Sequence, residues 1–95
     1  FKTMEGAAYQ LQAQPDERLE SYLGNLIQII ADAQEEDGYL YTARTVDPSA
    51  VKADREGLTR WSNLRVNHEL YNLGHMYEAA VAHYEATGKR NFLEV

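Results

Sequence analysis

Residues 17–36 carry the pattern that most limits the folds open to this chain, because their apolar side chains recur with the period of an α-helix. At about 100° per residue these side chains fall on one face, and acidic and amide side chains occupy the opposite face. One polar and one apolar face predict an outer helix packed on a larger core. Asp16 is the expected N-cap, the helix should run to about Glu36, and Gly38 should follow its end. The apolar face consists of Leu19, Tyr22, Leu23, Leu26, Ile27, Ile29, Ile30 and Ala33.

A helix is also predicted before this segment, over residues 1–14. Its apolar residues follow helical spacing and Pro15 ends it. Those residues are Met4, Ala7, Ala8 and Leu11.

The third predicted helix begins after Asn67 as N-cap and continues to Thr87, with Gly88 just beyond its end. Its opposite side is polar only near the start and then becomes small and apolar, so the helix is apolar on both sides along most of its length. Such a helix is buried. We therefore predict an inner helix whose N-terminal end faces a polar cavity. The main apolar stripe consists of Leu70, Leu73, Tyr77, Ala80, Val81 and Tyr84.

The segment between these helices, residues 38–66, shows no clear helical or strand pattern. A connection of this length is uncommon in a compact domain and is usually either functional or disordered. Tyr39, Tyr41 and Trp61 favour a packed or functional loop, because disordered linkers contain few aromatic residues.

Charge and cysteine content exclude several classes of function. Nine basic and fifteen acidic residues give a net charge of −6 without a basic cluster. This argues against a nucleic-acid partner and against an anionic membrane surface. The chain has no cysteine, which excludes disulfides, a cysteine nucleophile and a thiolate metal site within it. No apolar run approaches the roughly 20 residues of a membrane span.

His68 and Glu69 resemble the first half of a zinc-protease motif, but position 72 is Asn rather than the second His. His75 would lie about 10 Å further along the helix axis, too far to share one tetrahedral zinc. We therefore expect no metal site at these residues. His68 and His75 share a face and are either core histidines or donors and acceptors for a polar ligand at a helix N-terminus.

Aromatic and acidic residues of the loop allow similar alternatives. Tyr39, Tyr41 and Trp61 either pack internally or stack on a sugar ring. The acidic cluster at residues 35–37 is either a solvated helix end, or Asp37 orders the loop or contacts substrate. His83 is expected to be solvated.

Six short runs occur in an order that resembles one known family, the β-L-arabinofuranosidase-type glycoside hydrolases (family 127 and relatives). The resemblance covers essentially the whole chain. It implies an all-α fold in which residues 1–95 form a single partial domain, helical hairpins from an (α/α)6 barrel with outer helix, long loop and inner helix. The loop and the start of the third helix would then lie at the sugar pocket. The runs are residues 5–9 (EGAAY), 37–40 (DGYL), 60–61 (RW), 68–75 (HELYNLGH), 78–84 (EAAVAHY) and 86–90 (ATGKR).

The same resemblance implies a retaining hydrolase of β-L-arabinofuranosides, an arabinose-containing carbohydrate as partner, and a cysteine nucleophile bound to zinc by cysteines and a glutamate. Because this chain has no cysteine, zinc is expected for the longer parent protein and no cofactor for this chain. No catalytic residue is expected here, and these residues alone should be inactive. His68 is the first candidate for binding a sugar hydroxyl, followed by His75, Tyr41 and Trp61.

The chain ends also suggest an internal fragment, since Phe1 is not a start methionine and Val95 lies in an apolar segment. Two alternatives remain open. One is a small helical interaction module whose apolar faces bind a partner or self-associate. The other is a helical barrel for another sugar, such as an unsaturated uronide, whose carboxylate would meet the loop arginines. These are Arg44, Arg55, Arg60 and Arg65.

Overall fold

The computed structural model describes residues 1–46 and 60–95, and within those ranges the chain contains α-helices and no strand. The predicted all-α class is confirmed. The prediction about Arg55 falls outside the described residues, as does the one about the Arg44 side chain. None of the described helices is both long and apolar enough to cross a membrane. The helices are α1 (Lys2–Ala13), α2 (Glu17–Asp32), α3 (Thr42–Val46), α4 (Leu64–Asn67) and α5 (Glu69–Thr87).

The boundary between α1 and α2 follows local sequence chemistry. α1 ends two residues before Pro15, and Asp16 begins the next helix as predicted. The Asp16 carboxylate accepts hydrogen bonds from the backbone N–H groups of Arg18 at 2.8 Å and Leu19 at 3.1 Å. Such a cap stabilises a helix by about 1 kcal/mol, because the first-turn N–H groups have no partner within the helix.

The end of α2 was predicted wrongly. The helix stops at Asp32 rather than near Glu36, and the following residues close a turn of their own. The backbone N–H of Glu35 donates to the Tyr39 carbonyl at 2.8 Å, and the N–H of Gly38 donates to the Glu35 carbonyl at 2.8 Å. Gly38, at φ 89°, supplies the left-handed residue of this turn instead of ending the helix.

The segment predicted to lack regular structure contains two short helices, α3 and α4. The N-cap of α5 also differs from the prediction, because Asn67 is the last residue of α4 and His68 separates α4 from α5. His68 has φ 56°, a left-handed conformation that breaks one helix and starts the next. Gly88, at φ 71°, ends α5 as predicted.

α5 packs mainly against α1, and α2 covers the same core. The centre of this core joins Ile27 of α2, Met76 and two alanines of α5, and Phe92 of the C-terminal turn. Burying a side chain of the size of Ile27, Met76 or Phe92 stabilises a fold by about 1.5–3 kcal/mol. Residues partly buried against the centre are Phe1, Met4, Ile30, Leu40, Leu73 and Val95.

Most of the predicted apolar stripe of α5 is exposed rather than buried. α5 instead turns its small side chains toward its neighbours, because alanines allow close approach of two helices. His83 lies on this buried side at 3% exposure, so the prediction that it is solvated was wrong. The exposed stripe residues are Leu70, Tyr77, Val81 and Tyr84, and the buried apolar residues of α5 are Met76, Ala79, Ala80 and Ala82.

Candidate functional site

The backbone conformations of Trp61 and His68 set them apart from their neighbours. They are the non-glycine residues with positive φ in the described part of the chain, at 68° and 56°. Holding a non-glycine residue in this region costs on the order of 1–3 kcal/mol, and such strain is concentrated at functional sites. Both residues are predicted from the sequence to bind sugar, and that prediction does not depend on their backbone conformation.

The His68 ring is exposed and held by the short helix before it. Its Nδ1 lies 2.5 Å from the backbone carbonyl oxygen of Val66. Because a carbonyl can only accept, Nδ1 carries the proton, and Nε2 of the neutral ring is left as an acceptor. A hydroxyl group is a suitable donor to that nitrogen.

A row of aromatic side chains continues from His68 along α5. The Tyr71 ring lies 6.1 Å from the His68 ring and 4.5 Å from the His75 ring, centroid to centroid, and both contacts are nearly perpendicular. The Nδ1 atom of His75 is 2.9 Å from Oε2 of Glu78. The structure therefore connects the two predicted histidines through Tyr71, which the sequence analysis did not select. The signal was available, because Tyr71 is three residues after His68 and four before His75, the spacing of neighbours on a helix face.

Lys2 of α1 contacts this row of aromatic side chains at Tyr71. Its ammonium group donates a hydrogen bond to the Tyr71 hydroxyl at 2.9 Å and lies 5.4 Å from the Tyr71 ring centroid. The hydrogen bond to Tyr71 raises the pKa of Lys2 above its ordinary value. A cavity of about 320 Å³ is lined here by Phe1, Lys2, Thr3, Tyr71, Asn72 and His75.

Tyr41 is half-buried and lines a larger and mainly apolar cavity of about 420 Å³. This cavity shares Phe1 and Asn72 with the one beside His75, so the two cavities are neighbours. The remaining lining residues come from the end of α2, the segment after it and the start of α3. They are Ile29, Ile30, Ala33, Leu40, Thr42 and Ala43.

Trp61 is 44% exposed, and the loop after α2 supports it from one side. Its ring meets that of Tyr39 edge-on, with the centroids 5.2 Å apart. The Arg60 guanidinium lies over the same tyrosine ring, 4.2 Å from its centroid, and forms ion pairs with Glu35 and Asp37. Arg60 is thus engaged within the fold.

Asp37 orders this loop, which decides between the alternatives left open for it. Its carboxylate accepts hydrogen bonds from the Arg60 guanidinium and, at 3.2 Å, from the Tyr39 backbone N–H. The hydrogen bond from Arg60, followed by the one from the Tyr39 backbone, lowers the pKa of Asp37 below its ordinary value of 3.8.

Glu69 is the residue that sequence reasoning missed most completely. It is the first residue of α5, where an exposed acidic side chain would be ordinary, yet it is 3% exposed. The Tyr39 hydroxyl donates a hydrogen bond to its Oε1 atom. Within the described residues, Glu69 Oε2 and the side-chain nitrogen of Asn67 are buried without a hydrogen-bond partner. No local pattern predicts this, because Tyr39 is thirty residues away along the chain.

The described residues do not form the zinc site that the family resemblance implies, since that site needs thiolates and the chain has no cysteine. Glu5, His75 and Glu78 place three potential ligand atoms within 4.8 Å of one another. This donor set lacks sulfur, and its members already have partners. His75 contacts Glu78, and the Tyr9 hydroxyl donates to Glu5 at 2.9 Å. We assign no metal to this group.

The family model described as the β-L-arabinofuranosidase, GH127 catalytic domain, matches residues 1–95. The non-reducing end β-L-arabinofuranosidase of Bifidobacterium longum subsp. longum is 42% identical over 95 residues, which are 100% of this chain and 14% of that protein.

Two solved structures are also similar. A GH127 β-arabinofuranosidase superposes with a TM-score of 0.87 at 55% identity, covering 98% of this chain and 15% of that one. The GH127 β-L-arabinofuranosidase Ara127N-Se from Geobacillus stearothermophilus T6 gives a TM-score of 0.81 at 44% identity, covering 98% of this chain and 13% of that one. The chain thus spans only a small part of the length of each relative.

Proposed function

Because this chain belongs to the GH127 β-L-arabinofuranosidase family, we propose that it forms one wall of the sugar pocket in an enzyme that hydrolyses β-L-arabinofuranosides with retention. The family match confirms the resemblance drawn from the sequence. The helical hairpins described above would contribute to an (α/α)6 barrel, with the loop after α2 and the start of α5 at the pocket. Fold alone does not fix the substrate, so the proposal depends on the side chains at that end.

The observation that carries the proposal is the fixed orientation of His68. Its Nδ1 atom is bound to the Val66 carbonyl, which leaves Nε2 for a hydrogen bond with a sugar hydroxyl. A ligand bound by a preorganised group loses less conformational freedom on binding. His75 contacts Tyr71 and Glu78 and lies further along α5 in the same row of aromatic side chains.

Trp61 and Tyr41 are the aromatic residues predicted to contact the sugar, and they line two different cavities of the described residues. The exposed indole of Trp61 offers a flat face on which a sugar ring can stack through its C–H groups. Tyr41 lines a mainly apolar cavity that neighbours the one lined by His75. Their binding roles stay predictions, as do those of His68 and His75.

The nucleophile and the zinc that holds it would belong to residues outside these 95, since a thiolate cannot come from a chain without cysteine. When bound, zinc would stabilise the thiolate form of the nucleophile. The residues of this chain would orient the arabinose and exclude water around it.

The pairing of Arg60 makes this arginine a poor partner for the carboxylate of a uronide. Arg60, the loop arginine nearest to Trp61 in sequence, is already paired with Glu35 and Asp37. A substrate carboxylate would have to displace those partners. This counts against Arg60 as the residue that would bind a uronide.

The experiment that tests the proposal is a substrate comparison with the full-length protein that contains this chain. Initial rates would be measured on p-nitrophenyl β-L-arabinofuranoside, its α-anomer and an unsaturated uronyl glycoside. We expect the highest kcat/KM on the β-L-arabinofuranoside, with release of β-L-arabinose detected by NMR during the first turnovers. Preference for the uronyl substrate, or initial release of the inverted anomer, would overturn the proposal.

A further inference from the structure

We propose that Tyr39 is a positioning residue that holds both His68 and Trp61 in the conformations needed to bind the sugar, using Glu69 as its link to His68. This inference rests on the proposed function, because it assigns Tyr39 a role through two residues of that pocket. Tyr39 itself is 5% exposed and is not proposed to touch substrate.

The first connection is a hydrogen bond across the loop. The Tyr39 hydroxyl donates to Oε1 of Glu69, and Glu69 directly follows His68 in the chain. Since Glu69 is the first residue of α5, anchoring its side chain also anchors the left-handed residue that precedes the helix. His68 keeps φ at 56° only while its surroundings fix it there.

The second connection is the tyrosine ring. Its ring packs edge-to-face with Trp61, and the Arg60 guanidinium lies over it. Arg60 is in turn paired with Asp37, which also accepts the Tyr39 backbone N–H. One side chain therefore contacts the two consecutive residues 60 and 61 with its ring and the start of α5 with its hydroxyl.

The position of Glu69 should depend on the hydroxyl oxygen of Tyr39, which hydrogen-bonds its buried carboxylate. Its Oε2 atom lacks a partner within the described residues, and its Oε1 atom accepts the hydrogen bond from the Tyr39 hydroxyl. A buried carboxylate left without any hydrogen bond is strongly disfavoured and moves toward a partner or solvent. That movement would displace His68, and small displacements of a positioning group lower catalytic rates markedly.

The test uses Tyr39→Phe in the full-length enzyme, which removes the hydroxyl and keeps the ring. We expect kcat/KM for p-nitrophenyl β-L-arabinofuranoside to fall about 10-fold, the upper end of what one hydrogen bond contributes. Glu69→Gln should stay within about 2-fold of wild type, because the Gln carbonyl still accepts from Tyr39. Glu69→Leu should reproduce the loss, and this Gln and Leu pair carries the test if Tyr39→Phe does not fold.

A double-mutant cycle shows whether Tyr39→Phe lowers kcat/KM through His68 or through an unrelated loss of structure. If Tyr39 acts through His68, adding Tyr39→Phe to His68→Ala should cause no further fall in kcat/KM, whereas unrelated effects would multiply. A multiplicative loss, or wild-type activity in Tyr39→Phe while His68→Ala is impaired, would overturn the positioning role and leave the proposed function intact. Absence of β-L-arabinofuranoside hydrolysis by the wild-type enzyme would instead overturn the proposed function.

Discussion

The Tyr39 hydroxyl and the Glu69 carboxylate form a buried hydrogen bond between the loop that follows α2 and the first turn of α5. This contact joins two segments that are thirty residues apart in sequence. The ring of the same tyrosine contacts Trp61, so Tyr39 connects Trp61 with the helix start that follows His68. The candidate pocket thus depends on a tertiary contact beneath the residues proposed to bind sugar.

The imidazole of His68 should be required for activity. In the full-length enzyme, His68→Ala is expected to lower kcat/KM by about 10²-fold, because one or two polar contacts to the sugar contribute about 2.7 kcal/mol in the transition state. Steady-state kinetics on p-nitrophenyl β-L-arabinofuranoside measure this. Glu17→Gln, on the exposed start of α2, serves as the control and should leave kcat/KM unchanged.

His68→Asn distinguishes the loss of the imidazole from the loss of the left-handed backbone. Asn tolerates positive φ better than Ala, so this variant should keep the break between α4 and α5. We expect its melting temperature to match that of wild type while its activity falls as far as that of His68→Ala. Equal activity of wild type and His68→Asn would remove His68 from the site.

Local signals predicted the helix boundaries that depend on neighbouring residues alone. Pro15, the Asp16 cap and Gly88 each act within one turn of their own position, and each was identified correctly. The turn after α2 and the start of α5 also involve partners far away in sequence. Glu35 pairs with Arg60, and Glu69 with Tyr39, and no helical periodicity contains that information.

The apolar pattern of α5 shows a second limit of sequence reasoning. Periodicity identified the stripe correctly as apolar but could not tell which neighbour would cover it. In this chain α5 buries its alanines, and Tyr77 and Val81 stay 60% and 49% exposed. The candidate pocket was predictable to the extent that His68 and His75 share a face, and Tyr71 between them could have been added from spacing alone.

His83 should make stability depend on pH. Its ring packs against Phe92 at 6.2 Å, and Nδ1 is buried without a partner in the described part of the chain. Burial, followed by the Lys89 cation, lowers the pKa of His83 below its ordinary value of 6.5, although Glu20 opposes this shift. A lowered folded-state pKa means that the unfolded chain binds the proton more readily. The contribution to stability is therefore complete above pH 6.5 and is lost as the pH falls from there through the folded-state pKa.

The measurement is the melting temperature of the full-length protein at roughly pH 5 and pH 7.5, compared with that of His83→Leu. The wild-type melting temperature should fall more between the two values than that of the variant, which has no titrating ring at this position. An identical pH response of wild type and His83→Leu would contradict the prediction.

The exposed stripe of α5 should cause the isolated 95 residues to self-associate. Leu70, Tyr77, Val81 and Tyr84 are each at least 42% exposed, and contiguous apolar surface of this kind favours association. Sedimentation velocity over a range of concentrations should show species heavier than the 10.8 kDa monomer. The same sample should release no arabinose from p-nitrophenyl β-L-arabinofuranoside, because the chain has no cysteine to act as the family's nucleophile.

Replacing Tyr77 and Val81 together by Glu should shift the sedimentation profile toward monomer, because two carboxylates on one face repel each other across copies. The control places the same two charges on the exposed part of α1, as Gln10→Glu with Gln12→Glu, and should leave association unchanged. Circular dichroism checks that each chain keeps its helices. If the α5 substitutions leave self-association unchanged and the α1 substitutions reduce it, the associating surface is on α1 rather than on the α5 stripe.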